Sequence, residues 1–76
     1  MIQTSLKCYQ VELLKEFLNK FHPLIARKPN GQTMYKFPDK LVINLYETGA
    51  CVFQGNIDSF LLKGIKEHIS SLNSIH

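Results

Sequence analysis

Residues 41–55, LVINLYETGACVFQG, constrain the fold of this 76-residue chain more than any other stretch. Two apolar runs of period two flank Glu47-Thr48-Gly49, the pattern of a β-hairpin. Two closures are available. A two-residue loop at Thr48-Gly49 pairs Leu45 with Val52 and, as a type I′ turn, forces positive φ on the β-branched Thr48. A three-residue loop makes Glu47-Thr48 a type I turn and pairs Tyr46 with Ala50. It leaves positive φ to Gly49 alone, as a bulge. The bulged register also sorts the faces cleanly. Leu41, Ile43, Leu45, Cys51 and Phe53 fall on one side, and Val42, Asn44, Tyr46, Val52 and Gln54 on the other. A slip of one residue mixes these sets, so the bulged hairpin is the expectation.

The remaining segments supply partners for that hairpin. Ile2, Thr4, Leu6 and Cys8 alternate with Gln3, Ser5 and Lys7, predicting a first strand over residues 2–8. From Gln10 to Phe21 the period becomes helical, with Val11, Leu14, Leu18 and Phe21 in a stripe widened by Leu13 and Phe17. Glu16 and Lys20 have the spacing of a favourable pair, and Pro23 stops the helix near Phe21 or His22. Residues 23–31, with two prolines and Asn30-Gly31, read as a loop carrying Arg27 and Lys28. Gln32 to Phe37 reads as a second strand, with Thr33, Tyr35 and Phe37 on one face and Gln32, Met34 and Lys36 on the other. Pro38-Asp39 turns it into the hairpin.

Helical spacing returns from Ile57 to Leu72. Asp58 is the expected cap, and Ile57 with Leu62 the expected hydrophobic staple. Leu61, Ile65, Ile69 and Leu72, joined by His68, form the buried stripe. Gly64 suggests close approach to the sheet, and residues 73–76 a frayed end. The predicted order is β-α-β-β-β-α, an α+β domain spanning 1–76. It has a single antiparallel sheet of about four strands and both helices on one face. The uncovered face would display Gln3, Ser5, Lys7, Met34, Lys36, Val42, Asn44, Tyr46, Val52 and Gln54.

A hydrophobic content of 45% with five phenylalanines suffices for one core near the lower size limit for independent folding. No apolar run reaches membrane-spanning length, and MIQTSLKCYQ lacks the pattern of a signal peptide. The two cysteines, both on predicted core faces, indicate a reduced, cytoplasmic protein. A disulfide would require the first strand to lie beside the hairpin, and the compartment argues against it. The net charge of +3 is uneven. All of the excess lies in residues 23–40, where Arg27, Lys28, Lys36 and Lys40 face Asp39 alone. Such a patch suits a polyanion, although charge by itself favours a merely solvated loop.

The six acidic residues are scattered, the histidines and cysteines lack metal-ligand spacing, and no phosphate-binding glycine loop is present. A nucleophile built from Cys51 and His68 would lie on apolar faces without an orienting acid. The expectation is a protein that is not an enzyme and uses no cofactor, metal or small-molecule substrate. The uncovered sheet face remains. Asn44 and Gln54 can hydrogen-bond base edges or sugar hydroxyls, and Tyr46 offers apolar area. Lys7 and Lys36 can neutralise phosphates, with Arg27, Lys28 and Lys40 at the rim. Aliphatic and amide groups together suit the wide, shallow groove of an A-like or hybrid duplex, read by shape rather than sequence. A protein partner or a second copy of the chain suits such a face equally.

The segment KFPDKLVINLYETGACVFQGN resembles the N-terminal domain of bacterial ribonuclease HIII. That pattern is a basic residue before Pro-Asp, an alternating strand, Tyr-x-Ser/Thr-Gly, then an apolar strand ending Phe-Gln-Gly. Pro38, Asp39, Tyr46, Thr48, Gly49, Phe53, Gln54 and Gly55 occupy it here. The resemblance implies a fold like one repeat of the TATA-binding protein, whose flat sheet holds RNA/DNA hybrid. It places Lys7, Lys36, Asn44, Tyr46 and Gln54 on that surface and allows a homodimer. The catalytic ribonuclease H domain and its acidic metal ligands are not within these 76 residues, so the resemblance implies either an isolated domain of that kind or a free-standing relative. A different role for the same face is protein–protein interaction, as in a toxin–antitoxin or phage-defence pair.

Overall fold

The computed structural model describes residues 5–74. Its elements are β1 (Ser5–Lys7), α1 (Val11–Asn19), β2 (Leu24–Arg27), β3 (Gln32–Lys36), β4 (Leu41–Tyr46), β5 (Ala50–Gly55) and α2 (Phe60–Asn73). The chain is an α+β protein with one five-stranded sheet in the order β1-β5-β4-β3-β2, every neighbouring pair antiparallel. The fifth strand is β2, which lies in the stretch expected to be a loop. Its four residues carry little alternation, and its register with β3, Leu24 opposite Lys36 through Arg27 opposite Thr33, makes it a strand. Residues 2–4 of the expected first strand lie outside the described residues, as do 75 and 76.

The hairpin adopts the bulged register. Ile43 faces Phe53 and Leu45 faces Cys51, while Gly49 stands at φ 97°. The Gly49 N–H donates to the Tyr46 carbonyl (2.9 Å), and its own carbonyl accepts from the Cys8 N–H (2.8 Å). A Cβ at Gly49 would lie 2.3 Å from the Cys8 carbonyl oxygen, so the turn requires glycine for both its φ and its closeness to β1. That closeness sets β1 beside β5, with Leu6 opposite Cys51. Both thiols are free nonetheless.

The core fills the space between one sheet face and both helices. Tyr35, Phe37, Ile43, Leu45, Cys51 and Phe53 from the sheet meet Leu14 and Leu18 of α1 and Leu62, Ile65, Ile69 and Leu72 of α2, all buried. Each fully buried aliphatic or aromatic side chain here contributes about 1.5–3 kcal/mol, which is how so small a chain offsets its ordering entropy. The helical stripe of α1 is narrower than expected: Leu13 is 44% exposed, because two helices side by side leave the outer flank of each uncovered. The helix proper stops at Asn19, and a loose turn carries the chain to His22, which takes φ 54° before Pro23. The ion pair on α1 is Lys15–Glu12 (3.5 Å) rather than Glu16–Lys20.

Three further expectations for α2 need correction. Ser59, not Asp58, caps the helix: its hydroxyl oxygen accepts from the N–H groups of Leu61 (3.0 Å) and Leu62 (3.4 Å). The same hydroxyl donates to the Asp39 carboxylate, whose other oxygen accepts from the Leu41 N–H (3.1 Å). The β3–β4 turn and the start of α2 are thereby tied through one side chain. Because the helix begins at Phe60, the Ile57–Leu62 staple is out of phase, and Ile57 packs on the core directly. Gly64 faces open space, with nothing within 4 Å of a built Cβ, so it gives no close approach to the sheet.

Candidate functional site

Both helices shelter one side of the sheet, which leaves the other side as a continuous surface. Strand alternation and the pairing registers arrange it in three rows running across the strands. Nearest the β4–β5 turn stand Lys7, Ala50, Tyr46 and Gln32. The middle row is Ser5, Val52, Asn44, Met34 and Ala26. The far row is Gln54, Val42, Lys36 and Leu24. Ser5, Lys7, Met34, Lys36, Val42, Asn44, Tyr46, Val52 and Gln54 thus share the face to which their alternation assigned them. Gln3 lies outside the described residues.

A hydrogen-bonded line of amides crosses the centre of this face. Gln32 Nε2 donates to Asn44 Oδ1 (2.7 Å), and Asn44 Nδ2 donates to Gln54 Oε1 (2.9 Å). The line joins the three rows diagonally and buries Asn44 to 4% exposure. Asn44 therefore acts as a bracket rather than a reaching contact. It orients Gln32 and Gln54, whose outer donor and acceptor atoms remain for a partner. An amide held by a neighbour meets a ligand with less rotamer entropy to lose than a free one. Gln32 was not among the candidate residues. Its place on the same face was legible, but its bond to Asn44 depends on the β3–β4 register.

The charges divide by layer. Every acidic residue lies off the sheet: Glu12 and Glu16 on α1, Glu67 on α2, and Asp39, Glu47 and Asp58 in connections. Lys7 stands at one corner of the open face and Lys36 one strand in from the opposite corner, roughly 20 Å away by strand spacing. Arg27 pairs with Thr33, which places it on the helix-bearing side and removes it from the expected rim. The cause is β2 itself, since a strand alternates where a loop does not. Lys28 follows β2 and donates its N–H to the Gln32 carbonyl (2.7 Å). Lys40, at φ 72°, lies at the other end of the sheet. There it joins Lys36 and His22 around a recess of about 400 Å³ floored by Leu24, Phe37, Pro38 and Val42. Leu24 is 75% exposed. It was missed as a site residue for the same reason that β2 was missed.

The thiols lie beneath the opposite face. Burial pushes the Cys51 thiol up to about 12, with the neighbouring Cys8 adding to the shift, and its Sγ donates to the Gly49 carbonyl (3.5 Å). Burial also raises Cys8, against a weaker lowering by a backbone hydrogen bond at Gln10. Nucleophilic cysteines need the reverse shift. His68 is stacked on Phe17 with ring centroids 3.7 Å apart. Among the described residues no three His, Cys, Asp or Glu side chains are grouped so as to hold a metal ion, and no helix is long and apolar enough to cross a membrane.

The fold and this surface define a class: a small α+β protein with an antiparallel sheet covered on one face and open on the other. Comparison with protein-family models, characterised proteins and solved structures returned no match.

Proposed function

We propose that this chain is a non-catalytic nucleic-acid-binding module that grips a duplex through its open sheet face, by shape rather than sequence. The observation that carries the reading is the composition of that face. Its strands contribute two lysines, an oriented amide line and aliphatic area, and no carboxylate. A polyanion with a wide, shallow groove meets no like charge there and finds donors and acceptors at fixed positions. The sequence resemblance to the N-terminal domain of ribonuclease HIII, and through it to one repeat of the TATA-binding protein, supports RNA/DNA hybrid as the preferred duplex. With two lysines on the strands, affinity is modest.

Fluorescence anisotropy with labelled hybrid, DNA duplex and RNA duplex at two salt concentrations tests this. Binding should weaken with salt, and Lys36→Ala should lower affinity and flatten the salt slope by about one unit. Arg27→Ala, on the other face, should change neither. An absence of salt-dependent binding at micromolar protein would refute the proposal. It would favour a protein partner on the same face, to which the exposed Leu24 beside the recess is suited.

A further inference from the structure

The two edges of the sheet are not equivalent. At the β1 edge, Leu6 points its backbone groups inward to Cys51, so those of Lys7 point outward. The Lys7 carbonyl is taken by Asn73 Nδ2 (2.7 Å), and Asn73 Oδ1 accepts from the Tyr9 N–H (2.8 Å). The end of the last helix thus takes one outward carbonyl of that edge, through Asn73. At the β2 edge the Lys28 N–H bonds inward to Gln32, so Lys28, Ala26 and Leu24 all face β3. The N–H and C=O groups of Ile25 and Arg27 therefore point away from the sheet. Among the described residues no strand or side chain meets them. The apolar side chains on this edge are also exposed, Leu24 at 75% and Ile25 at 47%. An edge of this kind is a template for another strand.

The geometry points to a second copy of this chain as the occupant, pairing β2 with β2 about a two-fold axis through Ala26. Self-pairing must bring outward-facing residues opposite one another, which leaves three registers to consider. Placing Ile25 on Ile25 sets Arg27 against Pro23, which has no N–H to give. Placing Arg27 on Arg27 opposes like charges and sets Ile25 against Pro29. The remaining register pairs Ile25 with Arg27 twice, so that all four outward N–H groups and carbonyls are used. It sets Ala26 against Ala26 on the axis, where small side chains permit close approach. Leu24 comes opposite Lys28, whose stem can cover it. The flanking prolines and the central alanine thus select one arrangement. It would continue the sheet to ten strands with all helices on one side. The open face would double in area and gain Lys28 of the second copy beside Leu24.

Only the short β2 strand is shared, so association is weak, and because both copies are positively charged it strengthens with salt. Nucleic-acid binding has the opposite salt response, so failure of either reading is distinguishable from failure of the other. Sedimentation equilibrium of the full chain at ~100 µM should give a mass approaching twice 8.8 kDa, more so at high salt. Ile25→Pro removes an outward N–H without touching the β2–β3 ladder, and Ile25→Lys sets a cation against Arg27. Both should be monomeric with thermal melts within a few degrees of the parent. Under mild oxidation Ala26→Cys should crosslink, because opposed residues in a non-hydrogen-bonded pair lie within disulfide reach. Leu24→Cys, displaced from its copy, should not. A monomer at every salt concentration, or equal crosslinking at positions 24 and 26, would overturn the proposal.

Discussion

Two glycines of this chain should respond to the same substitution with opposite signs. Gly49 holds φ 97°, and an added Cβ would sit 2.3 Å from the Cys8 carbonyl oxygen. Positive φ costs alanine about 1–2 kcal/mol. The clash is with backbone, so β1 must retreat by about 1 Å to restore van der Waals separation. That movement sacrifices the 2.8 Å Cys8–Gly49 hydrogen bond, a further 0.5–1.5 kcal/mol by the usual net value. Leu6 is loosened with it, and the total for Gly49→Ala comes to about 2–4 kcal/mol. A domain of this size has roughly 4–11 kcal/mol in all, so the variant should lie close to unfolding. Gly64 sits inside α2 with nothing within 4 Å of a built Cβ, and Gly64→Ala should stabilise by about 1 kcal/mol through helix propensity alone. Urea melts followed by far-UV circular dichroism read both, since the chain has no tryptophan. For so small a domain each kcal/mol moves Tm by about 4–8 °C. If Gly49→Ala lay within 1 kcal/mol of the parent, the close approach of the turn to β1 would be refuted.

Other perturbations follow from the same contacts. Ser59→Ala removes the cap of α2 and one of the two partners of the Asp39 carboxylate, and should destabilise by about 1–2 kcal/mol in thermal melts. Because Cys51 is raised from 9.0 to about 12, the unfolded chain releases a proton that the folded one keeps. Stability is therefore full below pH 9 and should fall between pH 9 and 12, by up to about 1.4 kcal/mol per pH unit for each such thiol. Cys51→Ala should flatten that part of the curve in denaturant titrations at stepped pH. Asn44→Val breaks the amide line while leaving Gln32 and Gln54 access to water, so stability should change by no more than about 1 kcal/mol. Hybrid affinity in the anisotropy assay should drop, and unchanged affinity would dissociate the amide line from binding.

How much of this was legible without coordinates depended on the range of the forces involved. Period-two alternation over residues 41–55 and the steric demand at Gly49 are local, and they sufficed for the register, the buried face and the bulge. The apolar stripes of α1 and α2 likewise identified Leu14, Leu18, Ile65 and Ile69 before any packing was known. Tertiary pairing decided the rest. Leu24–Arg27 becomes a strand because β3 offers it a ladder, and that pairing moves Arg27 to the helix side and leaves Leu24 in the open. Ser59 displaces Asp58 as the cap because Asp39, twenty residues away in sequence, is placed to receive its hydroxyl. Asn44 is buried by amides from two other strands, which no reading of β4 alone can supply. Alternation and turn chemistry act over a few residues and are written into the chain. Edges, caps and cross-strand bonds arise when distant segments meet, so only the assembled sheet determines them.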